Sequence, residues 1–193
     1  EAITNATSDD MKKLTMTARE LGEKTQFTAT QSADAMSYLG MAGWNAEQIM
    51  QGMPGLLNLA AAGGTDLART ADIVSDDLTA FGLSAEQASH MADVYAVTIT
   101  KTNTNVEMLG DTMKYAAPVA HAFGVSMEET AALAGLMANS GIKASQAGTA
   151  LRTGFLRLAG PPKMAADALN QLGLSAQDLT AEQKEATMAL ESL

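Results

Sequence analysis

An all-α fold is predicted for this chain: a compact array of about eight to ten short helices joined by Gly/Ser-capped corners. Three observations predict it. First, of 193 residues 37 are Ala and 13 are Met, whereas Leu, Ile, Val and Phe together number only 36. Ala, Leu, Met, Gln and Glu are strong helix formers, and β-branched and aromatic residues are scarce. Second, apolar residues between the breaks recur at steps of three and four. Leu67, Ala71, Val74, Leu78 and Phe81 do so, with Asp66, Asp72, Asp76 and Asp77 off that seam. Third, one piece of punctuation occurs four times, as "AGWNAEQ" (42–48), "FGLSAEQ" (81–87), "FGVSMEE" (123–129) and "LGLSAQD" (172–178).

Each copy reads as the end of one helix and the start of the next. Gly takes the left-handed conformation that closes a helix, and the apolar residue after it folds back on the last turn. Ser or Asn with Gln or Glu three residues on is a capping box that opens the following helix. Gly43-Trp44-Asn45 with Gln48, Gly82-Leu83-Ser84 with Gln87, and Gly124-Val125-Ser126 with Glu129 fit this grammar. Gly173-Leu174-Ser175 with Asp178 is a weaker copy, with Thr180 and Gln183 as a rival cap. The spacings of 39, 42 and 49 drift too far for a strict solenoid period, so the expectation is four similar corners, not four copies of one unit.

Helices are expected at about 8–22, 31–42, 46–62, 65–81, 85–100, 105–123, 127–139, 144–159, 162–172 and 181–191. The third is expected to break near Pro54. Gly64-Thr65 opens the fourth, and Thr104 with Glu107 is a capping box for the sixth. Pro162 suits the first position of a helix. The run "VYAVTIT" (94–100) has strand composition but lies inside a capped segment, which favours helix.

Charge and composition exclude several functions. The chain has 12 basic and 22 acidic side chains, a net charge of −10, which argues against a specific nucleic-acid partner. Two His and no Cys exclude thiolate catalysis, disulfides and Cys-based zinc sites. The longest charge-free run, 48–65, holds Pro54 and four Gly, and no membrane contact is expected of it. "EAITNATSDD" lacks an initiating Met, and the chain closes inside a helical pattern, "EATMALESL", so it reads as a piece of something longer.

No constellation for chemistry emerges, and no cofactor or metal is expected. His90 and Asp93 share a helix face but lack a second ligand pair. His121 stands alone. Asp76-Asp77 and Glu128-Glu129 are adjacent, so their side chains point about 100° apart and neither pair can flank a scissile bond; solvated surface is expected for both. "AAAGGTD" (60–66) has no Lys after its glycines and no preceding strand, so it is not a phosphate loop.

One segment stands apart. Residues 141–163, "GIKASQAGTALRTGFLRLAGPPK", carry Lys143, Arg152, Arg157 and Lys163, with no acid between Glu129 and Asp167. From Thr25 to Thr100 the balance is one Arg against eight acids. Ala144, Gly148, Leu151, Phe155 and Leu158 form one helix face, small at its start and large at its end. Small residues admit a close helix neighbour. The face is either an ordinary buried one, with its Arg residues in water, or a docking face for a partner or another copy of the chain.

The phrases "NLAAAGGTDLARTADIVSDDLTAFGL" and "GIKASQAGTALRTGFLRL", preceded by "LGEKTQFTATQSADAMSYLGMAG", resemble the core region of phage tail tape measure proteins. The likeness runs from about Leu14 to Pro162 and fades after Lys163, dividing the chain into a leading helix (1–24), a tape-measure-like core (25–163) and trailing helices (164–193). The resemblance implies a non-enzymatic structural role: a long helical protein that fills the tail tube in the virion tail interior and sets its length. It implies assembly in the bacterial cytoplasm, with other copies of itself, tail tube proteins and tail assembly chaperones as partners. Peptidoglycan-cleaving domains of some members lie elsewhere in the chain, so no catalytic residue is carried over. The rival readings are a generic helical adaptor and, behind it, a helical peptidoglycan-cleaving enzyme.

Overall fold

The computed structural model describes residues 7–160 and 163–171, and every regular element among them is helical. The helices are α1 (Ser8–Lys24), α2 (Ala29–Met41), α3 (Ala46–Gly63), α4 (Leu67–Ala80), α5 (Ala88–Lys101), α6 (Val106–Ala122), α7 (Met127–Asn139), α8 (Ala144–Ala159) and α9 (Lys163–Gln171), with a 3-10 turn at Ala85–Gln87. "VYAVTIT" lies in α5, as the capping argument requires. The fourth corner at Gly173 and the helix expected at 181–191 lie outside the described residues.

The helices form two rows. α2, α4, α6 and α8 pack in one row, α3, α5 and α7 in the other, and α1 lies on α2 and α3. Gly43, Gly82 and Gly124 each join an even-numbered helix to the next odd-numbered one, so three of the four repeated corners fall at equivalent places. The expectation of similar corners that are not copies of one unit is corrected by this: the described residues form a stack of helix pairs. Stacking requires only that each helix meet the one two places along, so connection lengths vary and blur the period.

The corners are built much as their residues dictate. At all three, Gly has positive φ, and the next residue's N–H reaches back to a helix carbonyl: Trp44 to Leu39, Leu83 to Leu78 and Val125 to Ala120. Reciprocal capping boxes form at Asn45 with Gln48 and at Ser126 with Glu129, and also at Thr28 with Gln31, which starts α2 two residues early.

Three local expectations are corrected. Ser84 makes no side-chain cap; the chain after it winds as a 3-10 turn, with Gln87 N–H on Ser84 O at 3.0 Å, and α5 begins only at Ala88. α6 is capped by Asn105, not Thr104, through Met108 N–H on Asn105 Oδ1 at 2.8 Å. α3 does not break at Pro54. That residue is exposed, so its ring sits on the outer surface of α3, away from the packed face. Its neighbours Gly52 and Gly55 are there for packing: added Cβ atoms would come within 2.8 Å of the Trp44 ring and of Ser89 Cα.

The core is continuous through both rows, from Leu14 on α1 to Phe155 on α8. Nearly half of its members are Ala or Met, small or flexible, which lets helix axes approach closely at the Ala contacts. Asp77, expected on solvated surface with Asp76, is instead buried at 3% exposure in α4, where Tyr95 of α5 donates to it at 2.6 Å. Asp76 is exposed as expected.

Candidate contact surface

The helix-contact face read from the sequence is occupied from within the chain. α8 lies along α6, and a Cβ added at Gly148 would sit 2.4 Å from the Thr112 carbonyl oxygen and 3.0 Å from Tyr115 Cβ. Ala147 is fully buried, and Leu151 and Phe155 are each 9% exposed. Ala144 is half-buried at the start of α8 with φ 53°, a left-handed conformation unusual for a residue with a Cβ. The Thr112 hydroxyl lies 3.1 Å from the Ala144 carbonyl oxygen and 2.9 Å from that of Met108, and it ties the entry of α8 to α6. Leu158 is not part of the packed face: it is 47% exposed, as is its near neighbour Leu156 at 46%.

The basic groups lie on the other side. Arg152, Arg157 and Lys163 are exposed and Lys143 is half-buried; among the described residues none of the four is in an ion pair. The structure therefore separates what the sequence placed together. The small and aromatic residues hold α8 to its own chain, and the cations are left to solvent.

The remaining titratable groups serve the stack. Gln48 donates to Glu86 at 3.0 Å and His90 meets Glu128 at 2.6 Å, each bond joining one helix pair to the next along the same edge. Hydrogen bonds from Ser84 and then Gln48 pull the Glu86 pKa down to about 2. Burial raises that of Glu128, but hydrogen bonds led by His90 outweigh it and the net shift is downward. Desolvation pushes the Asp77 carboxyl well above the ordinary range, against the Tyr95 hydrogen bond, and the Tyr95 phenol rises with burial too. His121 lies against Gly82, whose added Cβ would be 2.9 Å from His121 Nε2.

None of these is a constellation for chemistry. Among the described residues no three His, Cys, Asp or Glu converge as metal ligands, and no helix is long and apolar enough to cross a membrane. An open groove of about 580 Å³ between α5 and α7 is lined by Val94, Val97, Ala132 and Leu136 together with polar side chains that include the His90–Glu128 pair.

Comparison with known proteins decides the family. A family model described as phage-related minor tail protein matches residues 15–193, most of the chain and including the stretch beyond Lys163. The chain belongs to the phage-related minor tail protein family. Among curated members, it is 44% identical over 178 residues to the tape measure protein of Pneumococcus phage Dp-1, covering 92% of this chain and 16% of that protein. It is 36% identical over 171 residues to the probable tape measure protein of Escherichia phage P2, covering 89% of this chain and 21% of that one. The chain thus spans about a sixth to a fifth of the length of these two relatives. No solved structure matches it.

Proposed function

We propose that this minor tail protein segment is part of a tape measure protein, a structural component that occupies the phage tail tube and sets tail length during assembly. The observation that carries the reading is the 44% identity, over nearly the whole chain, to a protein named for that role. The fold supports it in a second way: the buried carboxylate and the His–Glu pair join helix to helix, which is scaffold chemistry rather than catalysis.

In this reading no catalytic activity is assigned to the segment. Its partners are other copies of itself, tail tube proteins and tail assembly chaperones, met in the bacterial cytoplasm before the virion tail closes around them. The exposed cations Arg152, Arg157 and Lys163, with half-buried Lys143 beside them, are its electrostatic contacts, and the exposed Leu156 and Leu158 are their apolar neighbours. Opposite charge steers such encounters and sets register more than it adds affinity.

The compact stack bears on how length is measured. As one straight helix the 193 residues would span about 290 Å, but the corners forbid that form unless several caps unwind, each worth about 1 kcal/mol. The ruler is therefore either the rest of the long protein or this segment with its corners opened. An in-frame deletion of residues 25–163 in the phage gene, with tails measured by electron microscopy, tests the proposal. Loss of tails, or tails of altered length, is expected; infectious particles with tails of unchanged length would overturn it.

A further inference from the structure

The row of α3, α5 and α7 changes character along its length. α3 and α5 close tightly because two glycines make room: a Cβ on Gly52 would lie 3.4 Å from Ala88 Cβ, and one on Gly55 2.8 Å from Ser89 Cα. α5 and α7 are instead pinned near their ends. His90 meets Glu128 at 2.6 Å at one end. At the other, a Cβ on Gly135 would lie 2.8 Å from Thr102 Cγ2, and Asn103 N–H donates to Asn139 Oδ1 at 2.7 Å. The groove of about 580 Å³ opens between these pins. Within it Val97 is 57% and Leu136 63% exposed. Asp93 and Lys101 stand one turn to either side of Val97, both exposed and outside any ion pair among the described residues. The groove therefore suits an apolar anchor with a cation one turn away on one side and negative charge one turn away on the other.

We propose that this groove is the docking site for α8 of a second copy of the chain, an inference that rests on the reading above that copies meet one another. α8 carries the complementary order. Arg152, Leu156 and Gly160 step by four residues, as Asp93, Val97 and Lys101 do. Leu156 is 46% exposed, and Arg152 is exposed and outside any ion pair among the described residues. Gly160 closes the helix, where the last carbonyls carry partial negative charge. Laid parallel to α5, α8 sets Leu156 against Val97 and Leu136, Arg152 beside Asp93, and its C-terminus beside Lys101. The antiparallel placement would set Arg152 beside Lys101. Thr149 and Thr153 lie exposed on the same stripe and are short, so the helix can sit low in the groove. Lys12, Met16 and Glu20 on α1 have the same spacing, with Met16 70% exposed. There, however, Lys12 is already paired with Asp9 and Glu20 with Lys24. The contact joins two different surfaces, so it can repeat from copy to copy.

The chain has no Cys, so introduced thiols report cleanly. Full chains carrying Val97→Cys are mixed with full chains carrying Leu156→Cys, the two distinguished by tag length, and mildly oxidised. Their mixed disulfide should form at least about tenfold faster than that between Val97→Cys and Met16→Cys chains, because only the first pair approaches bridging distance. Arg152→Asp on the Leu156→Cys chain should slow the reaction several-fold. Asp93→Arg on its Val97→Cys partner should then restore the rate, less completely at about 0.5 M salt. Asp93 and Arg152 are both exposed, and far-UV circular dichroism of the reduced variants checks that the stack is intact. No bridge, equal rates for the two pairs, or a charge swap that restores nothing would overturn the docking. Faster bridging through Met16→Cys would overturn it and assign the groove to α1. A chain carrying both Val97→Cys and Leu156→Cys that closes on itself, at a rate independent of concentration, would overturn it as well. None of these outcomes touches the tail-length reading, which stands or falls with the deletion of residues 25–163.

Discussion

The phenol of Tyr95 on α5 donates a 2.6 Å hydrogen bond to the carboxyl group of Asp77 on α4, and both side chains are buried. It is the one described bond between side chains that crosses from one row to the other inside the core. Desolvation holds the Asp77 pKa well above the ordinary carboxylate value near 3.9, so the fold prefers the protonated acid. The native state then binds a proton that the unfolded chain has released. Its contribution to stability is greatest below the unfolded pKa and declines as pH rises toward the raised native value.

Asp77→Asn should remove that decline. Urea midpoints measured from pH 4 to pH 8 should show the variant gaining on the wild type as pH rises, because Asn carries no charge to desolvate. The exposed carboxylates Glu86 and Glu128 have lowered pKa values, lose their contribution on acidification and do so in both proteins, so the difference isolates Asp77. A difference independent of pH would show that Asp77 is not held protonated. Tyr95→Phe should cost about 1–3 kcal/mol by stranding the carboxyl, and more at high pH than at low.

Gly82 and Ser84 should behave unlike a conventional cap. Ser84→Ala removes no bond to the helix backbone and should fall within about 0.5 kcal/mol of wild type. Gly82→Val forces a β-branched residue to φ 66° and drives its Cβ to 2.9 Å from His121 Nε2, whereas Gly43→Val at φ 90° meets nothing within 4 Å. Both should destabilise, Gly82→Val more, and His121→Ala should rescue part of the Gly82→Val loss only. Equal losses at the two glycines, untouched by His121→Ala, would remove the steric account.

Much of this was legible from the sequence, and the failures share a cause. The boxes at Asn45 and Ser126 were readable because cap and partner are three residues apart. Thr104 stood out for its Glu three residues on, but Asn105 can cap as well, and which of them does so depends on where α6 must begin to place Val106 and Leu109 in the core. Asp77 looked solvated because it lies off the apolar seam; its partner is 18 residues away on another helix. Gly148 announced a close approach, but nothing local says that the neighbour is Thr112 of α6. The two-row order was hidden because units of 39 and 42 residues share an architecture without sharing a period. The corner expected at Gly173 and the helix expected at 181–191 lie outside the described residues.

The α6–α8 contact gives a paired test. Gly148→Ala adds one methyl group 2.4 Å from a backbone carbonyl, which cannot rotate aside, so α8 must move; a loss of about 1–3 kcal/mol is expected. Gly154 sits six residues on in the same helix with nothing within 4 Å of its added Cβ. Gly154→Ala should therefore raise stability by up to about 1 kcal/mol through helix propensity. Thermal or urea melts decide it, and the prediction fails if the two substitutions shift stability in the same direction.

The exposed cations of α8 give the last test, one that depends on the proposed role. Arg152 and Arg157 are exposed, outside any ion pair among the described residues, on a chain with a net charge of −10. A basic edge on an acidic molecule favours an encounter in which that edge of one copy meets an acidic stretch of the next. Arg152→Glu with Arg157→Glu should leave the helical circular dichroism and the urea midpoint nearly unchanged, because neither side chain is in the core. It should weaken self-association, most visibly at low salt, where screening over about 10 Å no longer masks the charges. Sedimentation velocity of both proteins across a concentration series, at about 0.02 M and 0.5 M salt, separates the cases. Concentration-dependent association of the wild type that the double substitution abolishes at low salt is the expected result. If both proteins remain monomers at every concentration, and a phage carrying the double substitution assembles tails of normal length, the cations keep the helix soluble and do no more.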